Sequence, residues 1–255
     1  MSGAGPVRPV DLIYCYDGSL DGFLSCVFES FARREMPFAV WPPEGEQPSF
    51  CPARQVPTDP ARAARVRRGV QRLGGAAAET VAMGFLSGQP DKELTLLRYL
   101  HYAFSEAGAA GRLGQPEVAA ACALARNVGW ELDKMRGFVR FEEHDGMLGA
   151  VIHPKNHLLP LLRRHFCERL AGENFLIYDA SHGEALLYQG GQVQLMRLSV
   201  PLSLPDPDGK ESYYQELWKQ FYRTLTIAGR ENPRCRRTHC PKRFWADMTE
   251  LRAER

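Results

Sequence analysis

Residues 175–198 read FLIYDASHGEALLYQGGQVQLMRL, and this stretch decides the fold class. It holds three β-prone runs, over residues 175–178, 185–188 and 193–198, which are separated by Ser-His-Gly and by Gly-Gly. Turns this short join neighbouring antiparallel strands. The stretch therefore predicts an antiparallel meander in the second half of the chain.

Strand patterns also occur upstream of the meander. Residues 138–143 and 148–152 are joined through His144-Asp145-Gly146, which is typical of a β-hairpin, and a helix is predicted over residues 158–170. Residues 11–16 form a first strand that ends at Asp-Gly. We therefore predict an α+β fold, in which an antiparallel sheet of about five or six strands packs against helices.

The stretch between the first strand and the hairpin is helical in pattern. Its predicted helices cover residues 60–73, 76–86, 92–107 and 118–135. We predict one domain over residues 1–255, with a mainly helical insertion at about 57–136. A last helix over residues 213–226 has an apolar face. That face carries Tyr214, Leu217, Trp218, Phe221, Tyr222 and Leu225.

The composition is that of an ordinary folded protein. Of 255 residues, 44% are hydrophobic and 24% charged, which excludes a disordered chain, a fibre and a disulfide-stapled mini-protein. No run of 18 apolar residues occurs and residues 1–9 contain no apolar segment, so we expect a cytoplasmic protein without a membrane partner. Seven scattered cysteines indicate reduced thiols rather than a disulfide framework.

Basic residues are concentrated in two blocks, although the net charge is only +2. Residues 53–74 hold six arginines against Asp59, and residues 217–245 hold eight basic residues against Glu231. Clustered cations on an acidic body are typical of a polyphosphate-binding surface. For the first block a solvated helix face is the favoured interpretation. For the second we predict nucleic-acid contacts by Arg230, Arg234, Arg236, Arg237, Lys242 and Arg243.

A possible site lies in YCYDGSLDG, residues 14–22, where a strand, a turn and a helix start follow in quick succession. Asp17, Ser19 and Asp21 are its candidate catalytic or binding residues, because such a junction presents free backbone N–H groups. Two carboxylates would repel a phosphate, and no Walker lysine or Gly-x-Gly-x-x-Gly is present. A turn and helix cap is therefore favoured over an anion or metal site, and both interpretations stay open.

Histidines and cysteines supply the remaining candidates. His157 lies at a predicted helix start and is a candidate for binding or protonating a ligand near the sheet, whereas His165 borders an apolar helix stripe and is interpreted as a packing residue. Cys235, His239 and Cys240 lack the second ligand pair that structural zinc prefers. We predict neither a metal site nor a cofactor, and the residues alone assign no reaction.

Several segments together resemble a known bacterial family. They are YCYDGSLDGFLSCVFE (residues 14–29), MRGFVRFEE (135–143), HPKNHLLPLLRRHFCERL (153–170), FLIYDASHGEALLY (175–188) and LWKQFYRTLTIAGRENPRCRRTHCPKRFW (217–245). These segments are similar to the family of domain of unknown function 4130, which is assigned to DNA repair or DNA metabolism. The resemblance implies DNA as a partner. It also implies a second partner, a radical-SAM protein that takes part in DNA modification, because such a protein is encoded beside family members. Some family members are fused to a uracil-DNA glycosylase-like domain.

Three hypotheses follow from the residues and the resemblance. The first is an accessory DNA-binding protein in bacterial repair, which uses the closing arginines and Lys242 on the DNA backbone and buries Trp245 rather than stacking it on bases. The second is an enzyme acting on a nucleotide or damaged base, with Asp17, Ser19 and Asp21 near His157 in one cleft. The third is a scaffold that docks the radical-SAM partner through the arginines of residues 62–72.

Overall fold

The computed structural model describes residues 7–45, 49–205, 209–225 and 232–252. The chain divides into two compact units, Met1–Gly129 and Trp130–Arg255. Each unit combines helices with a β-sheet, which confirms the predicted α+β class. The single-domain organisation with an insertion at about 57–136 stays a prediction. Within the described ranges, no helix has both the length and the apolar content that a bilayer crossing requires.

The first unit contains a small sheet and several helices. Its strands are β1 (Arg8–Cys15), β2 (Glu35–Trp41) and β3 (Ala53–Gln55). Its helices are α1 (Leu20–Arg33), α2 (Pro60–Arg72), α3 (Gly75–Phe85), α4 (Lys92–Ala103) and α5 (Pro116–Phe138), the last of which continues into the second unit. Helices thus occupy most of the range in which the sequence predicts them.

The sheet of the first unit has the order β2-β1-β3, and both strand pairs are parallel. The sequence predicts a single antiparallel sheet, so the separate parallel sheet of the first unit was not expected. Its cause is α1, which begins five residues after β1 and carries the chain back along the sheet, so that β2 runs in the same direction as β1. The core beneath it includes Tyr14, Phe23 and Leu97, all 0% exposed.

The second unit is built on a five-stranded sheet of order β4-β5-β6-β7-β8. Its strands are β4 (Glu142–His144), β5 (Met147–Ile152), β6 (Phe175–Asp179), β7 (Glu184–Gln189) and β8 (Gln192–Arg197). Only β5 and β6 pair in parallel, because helix α6 (Leu159–Arg169) connects them, and the other pairs are antiparallel. The predicted meander is therefore confirmed as β6-β7-β8.

The predicted hairpin is confirmed, but its first strand is shorter than expected. Asp145 and Gly146 both adopt positive φ, 49° and 81°, as a two-residue hairpin turn requires. β4 starts only at Glu142, because α5 continues to Phe138 instead of ending at residue 135. The ring of Phe138 packs 5.4 Å from that of Phe244, centroid to centroid, which stabilises this extra turn of helix.

The chain after the sheet forms α7 (Gly209–Leu225), α8 (Pro233–His239) and a 3-10 helix, Lys242–Asp247. The sequence predicts an apolar face on the first of these helices, and that face is exposed in the described part of the chain. Tyr214 is 54% exposed and Phe221 is 52% exposed. The helix is held mainly by polar contacts, such as the hydrogen bond from the Trp218 indole to Glu250 at 3.0 Å.

Candidate functional site

The closing basic segment forms a solvent-facing surface around α8. Asn232 starts this helix, since its side-chain oxygen accepts a hydrogen bond from the Cys235 backbone N–H at 2.9 Å. Arg234 and Arg237, one helical turn apart, are both exposed. Arg230, which the sequence also predicts as a phosphate contact, lies outside the described residues.

The ring of Trp245 contacts two further cations of this segment. Its ring is buried, at 3% exposure, and its indole N–H donates to the Cys240 carbonyl at 2.8 Å. The Arg236 guanidinium lies 4.9 Å from the ring centroid and the Lys242 ammonium 5.5 Å from it. The predicted burial of Trp245 is confirmed, and the ring positions cations through cation–π contacts. We call Arg234, Arg236, Arg237 and Lys242 together the closing basic surface.

Arg243 differs from its neighbours because it points into the protein. Its guanidinium donates to the Glu131 carboxylate at 2.6 Å and lies 4.3 Å from the ring centroid of Phe244. Glu131 is 0% exposed, so this ion pair is largely buried. The positive charge of Arg243 is compensated within the protein. The geometry thus gives this predicted DNA-binding residue a structural partner.

Glu131 also fixes the loop that follows β5. Besides Arg243, its carboxylate accepts hydrogen bonds from the backbone N–H groups of Lys155, at 3.0 Å, and Asn156, at 2.9 Å, and from the Asn156 side-chain amide. A buried carboxylate that accepts four hydrogen bonds orders the groups around it. The loop between His153 and His157 is therefore held in one conformation.

His157 lies at the end of this loop and contacts a second histidine. Its ring centroid is 3.9 Å from that of His182, and its Nδ1 is 3.6 Å from Glu184 Oε2. His182 in turn hydrogen-bonds through Nδ1 to Asp179 Oδ2 at 2.7 Å. Asp179 is 0% exposed. We call His157 and His182, each beside its own carboxylate, the histidine pair.

The histidine pair lies at the carboxyl ends of two neighbouring parallel strands, a common position for active sites. β5 ends at Ile152 and β6 at Asp179, so the two loops that carry the pair leave the carboxyl ends of neighbouring parallel strands. The hydrogen bond from His157 lowers the pKa of Glu184, an effect that burial opposes and that the charges of His157, His182 and Arg197 reinforce. The arrangement can hold or transfer a proton.

The Asp17 turn is closed by its own hydrogen bonds. Asp17 accepts from the Ser19 hydroxyl and the Thr58 hydroxyl, both at 2.6 Å. Partial burial raises the pKa of Asp17, but these hydrogen bonds outweigh it and lower the pKa below its ordinary value. Ser19 also caps α1 by accepting from the Gly22 N–H at 2.9 Å. This geometry is the turn and helix cap that the sequence favours.

Three arginines of the first basic block form ion pairs with nearby acids, and Asp21 is one of these acids. Arg54 pairs with Glu35, Arg62 with Glu29 and Asp59, and Arg67 with Asp21. These pairs compensate about half of the positive charge of the block, and the pairs of Arg62 and Arg67 on the exposed side of α2 each contribute only about 0–1 kcal/mol to stability. The geometry favours the predicted solvated helix face for this block.

Asp17, Ser19 and Asp21 belong to the first unit, and His157 belongs to the second. The described partners of His157 are all in its own unit, so the composite site with Asp17 stays a prediction. The importance of Glu131 was not predicted from the sequence. The only indication there is that this acid shares a helix face with the apolar residues Val128 and Met135.

Two further residues of the site, Asp179 and His182, were also not predicted. Their signal is the Asp-x-x-His spacing directly after a strand, which allows the aspartate to orient the imidazole. All seven cysteines carry free thiols. No group of three histidine, cysteine or acidic residues suited to a metal ion occurs in the part of the chain that the structure describes.

Comparison with known proteins identifies the family of this chain. A family model described as a domain of unknown function, DUF4130, matches residues 90–250, which is more than half of the chain. The match includes Glu131, the histidine pair and the closing basic surface, and it leaves the Asp17 turn outside. No curated protein matches the chain. The protein therefore belongs to the family of domain of unknown function 4130.

Proposed function

We propose that this protein binds the phosphate backbone of DNA through the closing basic surface and serves as an accessory protein in bacterial DNA repair or DNA metabolism. One observation carries the proposal. Arg234, Arg237 and Lys242 are exposed and make no ion pair with any residue in the described ranges. Cations that are not compensated within the protein are available to neutralise phosphates.

The charge pattern supports this surface over the other basic block. Three of the six arginines in the first block already have acidic partners, whereas Arg234, Arg237 and Lys242 of the closing basic surface have none among the described residues. Contacts to phosphate oxygens carry no sequence information. The proposed binding is therefore independent of DNA sequence.

The test is DNA binding by a variant that lacks two of these charges. We expect Arg234→Gln/Arg237→Gln to bind a labelled duplex more weakly, measured by fluorescence anisotropy at several salt concentrations. Each phosphate contact adds about 0.9 to the magnitude of the slope of log K against log salt concentration. At 0.1 M salt this corresponds to a factor of about 8 in affinity relative to 1 M salt. Loss of two contacts should therefore lower the affinity about 60-fold and the slope by about 1.8.

A matched control removes the same charge from another helix. Arg68 and Arg72 of α2 are also exposed and one turn apart, so Arg68→Gln/Arg72→Gln tests the effect of net charge alone. We expect this variant to lose much less affinity than the α8 variant. Equal losses in the two variants, or an unchanged slope in the α8 variant, would refute the proposed surface.

A partner protein belongs to the same proposal, and the family resemblance supports it. A radical-SAM protein would carry its own cluster, since we predict no cofactor for this chain. The docking alternative uses α2, where Arg65, Arg68 and Arg72 are exposed. Co-purification of the two proteins that disappears when these three charges are reversed would favour a scaffold role. Co-purification that survives the reversal would exclude α2 as the docking helix.

A second candidate function is an enzyme that acts on a nucleotide or a damaged base. The histidine pair favours it, because the buried Asp179 orients His182 at 2.7 Å and leaves its Nε2 as the nitrogen available for proton transfer. We expect His182→Gln to abolish any turnover of damaged-base oligonucleotides while retaining DNA binding. Turnover that persists in His182→Gln but is lost in Asp17→Asn would move the site to the Asp17 turn.

A further inference from the structure

A cleft of about 290 Å³ opens on the second unit beside β5. Its lining includes the apolar Leu204 and Pro205, which we call the apolar wall, and the polar His153, Asp247 and Arg252, which we call the polar rim. Pockets for small organic ligands combine such an apolar wall with a few fixed polar groups, and their volumes begin at about 300 Å³. The dimensions and lining of the cleft therefore suit one small, partly polar molecule.

His153 is the first fixed polar group of the cleft. Its Nδ1 is 2.8 Å from Asp247 Oδ1. The Asp247 side chain is only 12% exposed, whereas that of His153 is 51% exposed. The carboxylate accepts from Nδ1–H and orients the imidazole from the protein side, so that Nε2 remains as an acceptor for an O–H of the ligand, such as the P–OH of a singly ionised phosphate.

Arg252 is the second polar group, and it retains unused donors. Its Nη2 donates to Glu142 at 2.8 Å and its Nε donates to the Ala246 carbonyl at 3.2 Å. A guanidinium has five N–H groups, so three of them have no partner among the described residues. Such a planar fork matches the geometry of a phosphate. Because Arg252 and Glu142 neutralise each other, the proposed phosphate contact depends on the three unused N–H donors of Arg252 and not on a net positive charge.

Arg140 also lines the cleft, but its donors are occupied. Its guanidinium contacts Glu250 at 2.7 Å and the main-chain oxygens of Gly137, at 2.8 Å, and Val139, at 3.3 Å. It therefore serves to hold the rim in place. Arg252 is the arginine of the rim with the capacity to bind a ligand.

The apolar wall exists because residue 149 is a glycine. A Cβ at Gly149 would lie 3.0 Å from a methyl carbon of Leu204, closer than ordinary van der Waals contact. Leu204 can therefore lie directly over the β5 backbone. The apolar side chain of Leu204 thus lines the same cleft as the polar rim and can pack against a sugar or a base.

We propose that this cleft binds a phosphate-bearing nucleotide, with its phosphate on Arg252 and His153 and its nucleoside against Leu204 and Pro205. The ligand is either a free nucleotide or the phosphorylated end of a DNA strand. The same 3-10 helix carries Lys242 at its start and Asp247 at its end. Five steps of about 2.0 Å separate the backbones of these two residues, so Lys242 of the closing basic surface and Asp247 of the cleft lie about 10 Å apart along this helix.

The test is calorimetric titration of the full chain with deoxyadenosine monophosphate, deoxyadenosine and inorganic phosphate. We expect the nucleotide to bind at least about tenfold more tightly than either fragment, because it alone uses both the rim and the wall. Equal affinity for the nucleotide and the nucleoside would overturn the phosphate contact. Absence of nucleotide binding at millimolar concentration would overturn the proposal as a whole.

Two kinds of variant place the ligand in the cleft. We expect Arg252→Gln to weaken nucleotide binding about tenfold or more, and His153→Phe, which keeps a ring but removes Nε2, to weaken it several-fold. Leu204→Trp fills the cleft without changing any charge and should abolish binding. The matched control is Arg164→Gln, since the Arg164 side chain is 87% exposed on α6 and does not line the cleft. Binding that survives Leu204→Trp in a folded variant would place the ligand elsewhere and overturn the proposal.

Competition identifies the source of the phosphate. If an oligonucleotide displaces deoxyadenosine monophosphate only when it carries a 5′-phosphate, the cleft binds a strand end. If neither form displaces the nucleotide, the cleft binds the free nucleotide. The inference is independent of the proposed backbone contacts. Arg234→Gln/Arg237→Gln should leave nucleotide affinity unchanged, and Arg252→Gln should leave the salt slope of duplex binding unchanged.

Discussion

Replacement of Glu131 by glutamine is the sharpest test of how the site is held together. The Glu131 carboxylate is fully buried and accepts hydrogen bonds from two backbone N–H groups, from the Asn156 side chain and from Arg243. Glutamine has the same shape but replaces one acceptor oxygen by an NH2 donor and removes the negative charge. At least one of the surrounding donors must then lose its acceptor, and Arg243 loses its counter-ion.

The size of the effect follows from the burial of both partners. Removal of one partner of a buried ion pair costs about 3–5 kcal/mol. The Arg243 side chain is 29% exposed, so water recovers part of its solvation, and the cost should lie near the lower end, at about 3 kcal/mol. A chain of this length loses about 2–4 °C in melting temperature per kcal/mol, so we expect a decrease of about 6–12 °C.

Two measurements on the same variant report global and local effects. Denaturant unfolding can be followed by tryptophan fluorescence, because Trp130, Trp218 and Trp245 all belong to the second unit. Hydrogen exchange reports on the backbone amides of Lys155 and Asn156, which should lose protection more than the amides of the sheet.

The control variant changes a carboxylate on the same helix. Asp133 is two residues from Glu131, but its side chain is 72% exposed and pairs with Arg136 on the surface. Asp133→Asn should therefore cost less than about 0.5 kcal/mol. If Glu131→Gln unfolds at the same denaturant concentration as this control, or if the two amides keep their protection, the idea that Glu131 holds the loop is wrong.

Three further substitutions test individual features of the fold. Gly22→Ala places a Cβ against an Asp17 carboxylate oxygen, so it should cost about 1–3 kcal/mol in urea unfolding, whereas Gly75→Ala, with nothing within 4 Å, should not. Burial lowers the pKa of His101 to about 4, so stability should fall from about pH 6.5 to pH 4 as the unfolded chain binds the proton first. NMR titration of the His101 ring should give that pKa, and His101→Gln should remove about 1–3 kcal/mol of this pH dependence. Asn232→Ala removes the α8 cap, should cost about 1 kcal/mol, and should increase amide exchange in α8.

The elements of the second unit were predictable because their signals are local. The β6-β7-β8 meander follows from β-prone runs joined by two- and three-residue turns, and Asp145-Gly146 supplies the positive φ values that the hairpin needs. The end of α5 was not predictable in the same way. Residues 136–138 extend the helix because Phe138 meets Phe244, more than a hundred residues away in the sequence. Such a tertiary contact leaves no periodic pattern near the helix end.

The candidate site shows the same division between local and tertiary signals. A helix start in residues 17–21 was predictable, but its cap was not: the sequence favours Asp21 as the N-cap, whereas in the structure Ser19 caps α1 by accepting from the Gly22 N–H. The partners of His157 could not be derived, because Glu184 and His182 approach it only when β6 pairs with β5 and turns into β7. Pairing in a sheet is set by packing of whole strands and not by the residues of one loop.

The two basic blocks explain why net charge in a sequence window is an incomplete measure of a binding surface. Three arginines of the first block pair with acids of α1 and β2, which lie 19 to 46 residues earlier in the chain. The net charge of +5 over residues 53–74 therefore overstates the positive potential of this surface. Among the described residues of the closing block, Arg243 pairs with Glu131 and Lys219 with Glu216, whereas Trp245 contacts Arg236 and Lys242 at the surface. Because counterion release counts only cations that phosphate can reach, the salt dependence of DNA binding should follow the closing basic surface and not the total charge of the chain.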